Sequence, residues 1–344
     1  MSAFQRLGRT KRWKTFLTTL ILFLLVLKSD ILCRFVCVWN DEGKEATSYS
    51  MVQAYVEKGL IKYNAVSASC KDRGKSLNLL IMIPSRITNF KQRAALRKSC
   101  LSTTKTNNTV HHIFVLGKSD NAFYNDIASA ESNIFNDIIS LDITDTNENE
   151  TLKSVGILQW AHVNCAPVTY LLKINDDVLL NIHSLLKYLN RTKPLNAIIG
   201  CRQDKMQSFH LPFLNKRDSF FMDVDFTHPV YIHGSAYLIS GDILSQLYLA
   251  TRRVPVFLFE DIYITGLCRQ YIKADAIGHS GFSCGYREKG PCGSNFRYSI
   301  TGNQYRPEQI VRMWKELQDR WSDCRLLDNY WLSRTFDVLR NMLF

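Results

Sequence analysis

A chain of 344 residues with 46% hydrophobic and 22% charged residues has a globular composition. That excludes disorder throughout, a collagen-like fibre and, at a mean hydropathy of −0.13, a polytopic membrane protein. Its 43 Lys and Arg against 31 Asp and Glu give a net charge of +12, which alone would suggest nucleic acid, but half of the excess lies in the first 29 residues, where Arg6, Arg9, Lys11, Arg12, Lys14 and Lys28 face no acid; nucleic acid is therefore not an expected partner.

The chain opens with a basic segment, 1–14, followed by the uncharged run from Thr15 to Leu27. That run is shorter than the roughly 20 residues of a spanning helix. Continued through Ile31 and Leu32, with Trp13 at an interface and Lys28 snorkelling, residues 15–32 read as a transmembrane signal anchor. A cleaved signal peptide and a buried helix are the alternatives, although no small-x-small cleavage site follows. An anchor of this polarity leaves tail 1–14 in the cytoplasm and the rest of the chain in a lumen, a single-pass type II arrangement. Sequons at Asn107, Asn149 and Asn190 fit that side of a membrane. So do the ten cysteines, which divide into Cys33 and Cys37 at the membrane edge and eight beyond, an even number open to disulfides. Cys284 and Cys292 flank a Gly/Pro-rich turn and form the best local pair.

Residues 33–76 read as a polar stem, and 77–344 as the lumenal domain. Leu79–Ile83 is a short apolar run stopped by Pro84, a buried strand. Asn89 is a candidate N-cap for a helix through Phe90, Arg93, Leu96, Arg97 and Cys100. His111–Leu116, Ile138–Leu141, Val168–Leu172 and Ala197–Ile199 are further strands, with helices over Leu152–Ala161 and Ile182–Leu189. Alternating strands and helices predict an α/β domain with a mostly parallel central sheet. Pro307–Trp321 predicts a final helix, with Pro at its first position and Ile310, Met313, Trp314 and Leu317 on one face.

Three segments could carry chemistry. Ligands of open α/β sheets sit at the carboxyl ends of the strands, and the fourth strand ends in Lys173-Ile-Asn-Asp-Asp177. Two adjacent carboxylates there call for a neutralising cation, and oxygen ligands suit Mg²⁺ or Mn²⁺; the alternative is an Asp capping the next turn. In His228–Ser240, Gly234 interrupts an aromatic, β-rich run, which marks a bulge, a close ligand approach or an edge strand. Glu260-Asp261 follows four apolar residues and precedes a helix, where acids serve either the helix dipole or as a general base.

Taken in order over residues 77–320, these segments resemble the Golgi β-1,3-galactosyltransferases and β-1,3-N-acetylglucosaminyltransferases (glycosyltransferase family 31). Arg93-Ala-Ala-Leu-Arg-Lys-Ser-Cys100 is similar to that family's Arg-x-x-x-Arg-x-Thr-Trp helix, and Phe114-Val-Leu-Gly117 to its Phe-Leu-Leu-Gly strand. The stretch from Glu131 through Asp142 to Lys153 resembles its Asp-Ile-Ile…Asp…Asn-Leu-Thr-x-Lys segment. Lys173–Asp177 is similar to Lys-x-Asp-Asp-Asp, and Pro229–Ser240 to Pro-x-Tyr-x-x-Gly-x-x-Tyr-x-x-Ser. Glu260-Asp-Ile-Tyr-Ile-Thr-Gly266 resembles Glu-Asp-Val-x-x-Gly with one residue more before the glycine.

The resemblance implies the GT-A fold, a nucleotide-sugar-binding Rossmann-like sandwich. It also implies a Golgi membrane location and inverting transfer of galactose or N-acetylglucosamine from a UDP-sugar to a glycan hydroxyl in β-1,3 linkage, on protein or lipid. The expected cofactor is Mn²⁺, held by Asp177 with Asn175 and Asn303, beside Asp176 and Gly234 in the donor site. Asp261 is the expected base, with Glu260 second, and Arg93 and Arg97 are expected to help position the nucleotide. Three departures stand out: Asn175 replaces the first Asp of the metal triplet, Asn303 stands where relatives have a His, and Ser99-Cys100 replaces Thr-Trp. The two amides motivate an alternative, a membrane-anchored pseudoenzyme that binds glycans or partner glycosyltransferases without turnover.

Overall fold

The computed structural model describes residues 53, 55–59, 61–65, 77–105, 109–147, 149–165, 168–204, 229–285, 296 and 299–318. The expected anchor at 15–32 and the sequon Asn107 lie outside them. Among the described residues no helix is long and apolar enough to cross a membrane.

Strands β1 (Tyr63–Ala65), β2 (Leu79–Pro84), β3 (Val110–Lys118), β4 (Ile138–Thr144), β5 (Tyr170–Ile174), β7 (Ala197–Gln203), β8 (Tyr231–Ser240) and β9 (Asp275–Gly278) form one sheet in the order β1-β4-β3-β2-β5-β8-β7-β9. Its centre, β4-β3-β2-β5, is parallel, as expected for strands separated by helices. Strand β8 runs antiparallel between β5 and β7, so its first half lies beside the carboxyl end of β5. A small second sheet pairs β6 (Leu179–Leu180) with β10 (Thr301–Gly302).

The helices are α1 (Phe90–Lys98), α2 (Ala122–Phe135), α3 (Glu150–Asn164), α4 (Ile182–Thr192), α5 (Gly241–Thr251), α6 (Arg269–Tyr271) and α7 (Pro307–Gln318). Strand β2 is buried on both faces, and alternation sends its residues to two layers. Leu79, Ile81 and Ile83 join Leu96, Leu185 and Trp314 in one apolar cluster beneath α1, α4 and α7. Leu80 and Met82, equally buried, face the other side, where α3 and α5 pack on each other and on the sheet. The result is the helix–sheet–helix sandwich that the sequence predicts.

Three expectations change. The domain starts before residue 77: Val56 and Ile61 are buried and β1 pairs with β4, so part of the expected stem is sheet. Cys284 is bonded to Cys201, 83 residues earlier, not to Cys292, so the bridge ties the loop after β9 to strand β7. Asn89 makes no cap bond; its side-chain NH₂ donates to the charged Asp176 carboxylate at 2.9 Å instead.

Candidate functional site

Parallel strands β2 and β5 end side by side, so the loop Ser85–Asn89 lies next to the turn Asn175–Asp177. Ser85 Oγ and Asn89 Nδ2 both donate to Asp176 Oδ2, at 2.7 and 2.9 Å. Asp177 faces the opposite way. Gln304, in the left-handed region at φ 65°, aims its backbone N–H at Asp177 Oδ2 at 3.1 Å, and Tyr305 N–H donates to the Asp177 carbonyl at 3.1 Å. The β6–β10 pairing holds these two segments together. Among the described residues, Asp177 Oδ1 and Asn303 Oδ1 are buried acceptors with no donor. Burial, and next the neighbouring Asp176, push the Asp177 carboxyl above its ordinary range; both effects penalise an unneutralised charge.

Lys173 joins the three segments that sequence analysis singled out. Its buried ammonium donates to Asn175 Oδ1 at 2.9 Å, to the Gly234 carbonyl at 2.6 Å and to Glu260 Oε2 at 3.3 Å. Asn175, expected to face a metal, therefore holds an ammonium instead: its single amide oxygen accepts from Lys173. Tyr237 donates to the other Glu260 oxygen at 2.5 Å.

Asp261 differs from Glu260 in its surroundings. Among the described residues its oxygens accept only backbone N–H groups, from Gly234 at 3.0 Å and Ile262 at 2.9 Å, and its side chain remains partly exposed. Burial, and next Glu260, raise its carboxyl above the ordinary range. A partly exposed carboxylate with raised proton affinity can accept a proton from a ligand, whereas Glu260 is buried with both oxygens engaged by side chains. Gly234 explains how the pieces fit: a Cβ there would come within 3.1 Å of Asp261 Cβ and 3.2 Å of Glu260 Oε2. The glycine expected to approach a ligand thus makes room for the acidic pair. After the pair, Ile262–Cys268 is π-helical. The wider turn accommodates the extra residue before Gly266, and such π segments are frequent at functional sites.

Arg93 and Arg97 do not stand free for a nucleotide. Arg93 is fully buried, and its three nitrogens donate to Glu131, to Ser85 Oγ and to the carbonyls of Arg86 and Ile87. Arg97 binds Asp137 and Glu131 and lies over the rings of Phe114 and Phe135. Ser85, Asn89 (expected only as a helix cap) and the linking role of Lys173 were not among the expected site features. Nothing in a single sequence marks the first two, whereas Lys173 was in plain view within its motif.

Of the described sequons, Asn190 is exposed on α4. The Asn149 amide nitrogen, the atom that a glycan would occupy, donates to Thr144 O at 2.9 Å. Among the described residues no three His, Cys, Asp or Glu converge as a metal centre.

Residues 91–279 match the family described as Galactosyltransferase. The chain is 29% identical to N-acetyllactosaminide beta-1,3-N-acetylglucosaminyltransferase 2 of Mus musculus, over 74% of this chain and 66% of that relative, a little under two thirds of its length. It is 26% identical to Beta-1,3-galactosyltransferase 1 of Homo sapiens, over 70% of this chain and 74% of the relative. Among solved structures it is similar to 4-diphosphocytidyl-2C-methyl-D-erythritol synthase from Anaerococcus prevotii, with a TM-score of 0.39 at 11% identity over 70% of this chain and 96% of that one.

Proposed function

The chain belongs to the galactosyltransferase family, and from that premise we propose that it is an inverting hexosyltransferase that moves galactose or N-acetylglucosamine from a UDP-sugar to a glycan hydroxyl in β-1,3 linkage. The observation that carries this reading is the buried Lys173, which joins Asn175 of the turn at the carboxyl end of β5 to Glu260, next to Asp261, a partly exposed carboxylate of raised proton affinity. The Asp261 carboxylate takes the proton of the acceptor hydroxyl as that oxygen bonds to the anomeric carbon. The bond from that carbon to the diphosphate breaks on the opposite face, and UDP leaves with the electron pair.

The buried oxygens Asp177 Oδ1 and Asn303 Oδ1, which have no donor among the described residues, suit a hard divalent cation such as Mn²⁺. When bound, the cation neutralises charge on the departing diphosphate. The protein supplies one full charge to it through Asp177, while Asp176 is held by Ser85 and Asn89. Such a site holds Mn²⁺ weakly until the diphosphate adds its own oxygens. In a Mn²⁺ titration of UDP-sugar turnover, Asn303→His is expected to raise apparent affinity for the ion about tenfold or more. Asp177→Ala is expected to remove the dependence together with the activity. Full activity in excess EDTA refutes the metal role. Absence of turnover in the wild type with every UDP-sugar and ion supports the binding-only reading, in which the amides Asn175 and Asn303 mark lost catalysis.

The same proposal places the domain in the Golgi lumen on a single-pass anchor. Support comes from the basic segment before the apolar run and from the Cys201–Cys284 bridge, which needs an oxidising compartment. Full-length protein expressed in animal cells is expected to carry a glycosidase-sensitive glycan that Asn190→Gln removes. Cytosolic, unglycosylated protein overturns the topology.

A further inference from the structure

The loop Ser85–Asn89 is held from beneath at nearly every polar group. Arg93 donates to Ser85 Oγ at 3.1 Å, to the Arg86 carbonyl at 2.7 Å and to the Ile87 carbonyl at 3.2 Å. Lys153 donates to the Ser85 carbonyl at 3.3 Å and is locked by Asp145 at 2.6 Å. The other Asp145 oxygen accepts the Ile87 N–H at 2.5 Å. The two ends of the loop, Ser85 and Asn89, both bind Asp176. Between them Arg86 is exposed. Its guanidinium has a neutral partner, Asn147 Oδ1, and among the described residues it forms no ion pair. Arg93, Arg97, Lys153 and Lys173 are all paired with acids. A loop fixed this firmly, at the carboxyl end of a central parallel strand and against Asp176, presents one unneutralised guanidinium.

We infer that Arg86 is a ligand of the donor's diphosphate and supplies, as a fixed cation, part of the neutralising charge that the amide-substituted Asp177–Asn303 site holds less firmly. This rests on the nucleotide-sugar reading above. Guanidinium suits the role because its planar fork matches two phosphate oxygens and stays charged at every working pH. The Arg86–Asn147 bond orients the fork without cancelling its charge. Nucleoside diphosphate should therefore bind measurably without any divalent ion, and that binding should depend on Arg86.

Calorimetric titration of UDP and of uridine, each in EDTA and in Mn²⁺, into the lumenal protein and its Arg86→Gln and Arg86→Lys variants tests this. In EDTA, Arg86→Gln is expected to lose about ten- to a hundredfold in UDP affinity, the range for a charge-assisted bond. Uridine affinity should not change, and Arg86→Lys should retain part of the UDP affinity. Because Arg86 is exposed, the melting temperature of the variants should match the wild type. Equal UDP binding by wild type and Arg86→Gln in EDTA overturns the inference. Parallel loss of UDP and uridine overturns it too, since the residue would then shape the loop and not meet phosphate. Failure of the wild type to bind UDP under any condition overturns the nucleotide-sugar reading itself, a separate result.

Discussion

Asp261→Asn is expected to lower kcat for sugar transfer by about 10²–10⁴, the contribution of a positioned general base, while UDP affinity stays within a few fold. The amide is nearly isosteric with the carboxylate, and its oxygen can still accept from Gly234 or Ile262, the two N–H groups that hold Asp261 at 3.0 and 2.9 Å. What it cannot do is take a proton. Glu260→Gln should behave differently. Glu260 lies behind Asp261, between Tyr237 and Lys173, so its loss should register mainly in stability. The wild-type pH profile carries the same information. Burial and the adjacent Glu260 raise the proton affinity of Asp261, and a base must be ionised to act. Activity should therefore rise with pH through a limb lying above the ordinary carboxylate range, and Asp261→Asn should remove that limb. Near-normal turnover in Asp261→Asn together with a dead Glu260→Gln would reverse the two assignments.

The sheet was legible where burial wrote a simple pattern. Leu79–Pro84 is apolar on both faces because helices cover both, and Pro84 ends it. Helix α2 was missed because Phe123, Ile134 and Phe135 lie on its exposed side while Ala128 and Ser132 are its buried residues, so no apolar stripe reports its orientation. Strands β6 and β10 have two residues each, too short for any period, although they set the Asp177–Asn303 corner. The candidate site was legible in its acids, since adjacent carboxylates after an apolar run are conspicuous. The roles of its arginines were not. Arg93 sits four residues before Arg97, a spacing equally natural for a solvated helix face. Only contact with Glu131, 38 residues away, turns Arg93 into an internal brace and leaves Arg86 as the outward cation. The extra residue before Gly266 was visible, but its resolution as a π-helical turn needed the backbone.

The second large effect is expected at Lys173. Its side chain is 3% exposed and its partner Glu260 is 9% exposed, so Lys173→Met leaves a buried carboxylate without its cation. Breaking a buried pair from one side typically costs about 3–5 kcal/mol. The methionine fills the alkyl volume, so lost packing contributes little. Adding Glu260→Gln removes the stranded charge while an amide oxygen remains for Tyr237. The double variant should therefore recover much of the loss, with a coupling of about 0.5–3 kcal/mol in a double-mutant cycle. A role confined to stability would end there. Lys173 also lowers the proton affinity of Asp261 through its charge, against burial and Glu260, which raise it. Removing the ammonium should shift the acid limb of kcat/KM to higher pH, because the ionised base loses a favourable neighbour. Arginine is not an equivalent replacement: the pocket presents Asn175 Oδ1, the Gly234 carbonyl and Glu260 Oε2 to a single nitrogen, and a planar fork cannot meet all three from that point. Chemical denaturation of the two single variants and the double, with pH–rate profiles of those that fold, measures both effects. An unchanged denaturation midpoint in Lys173→Met together with an unmoved acid limb would refute the view that this ammonium ties the donor-side turn to the base.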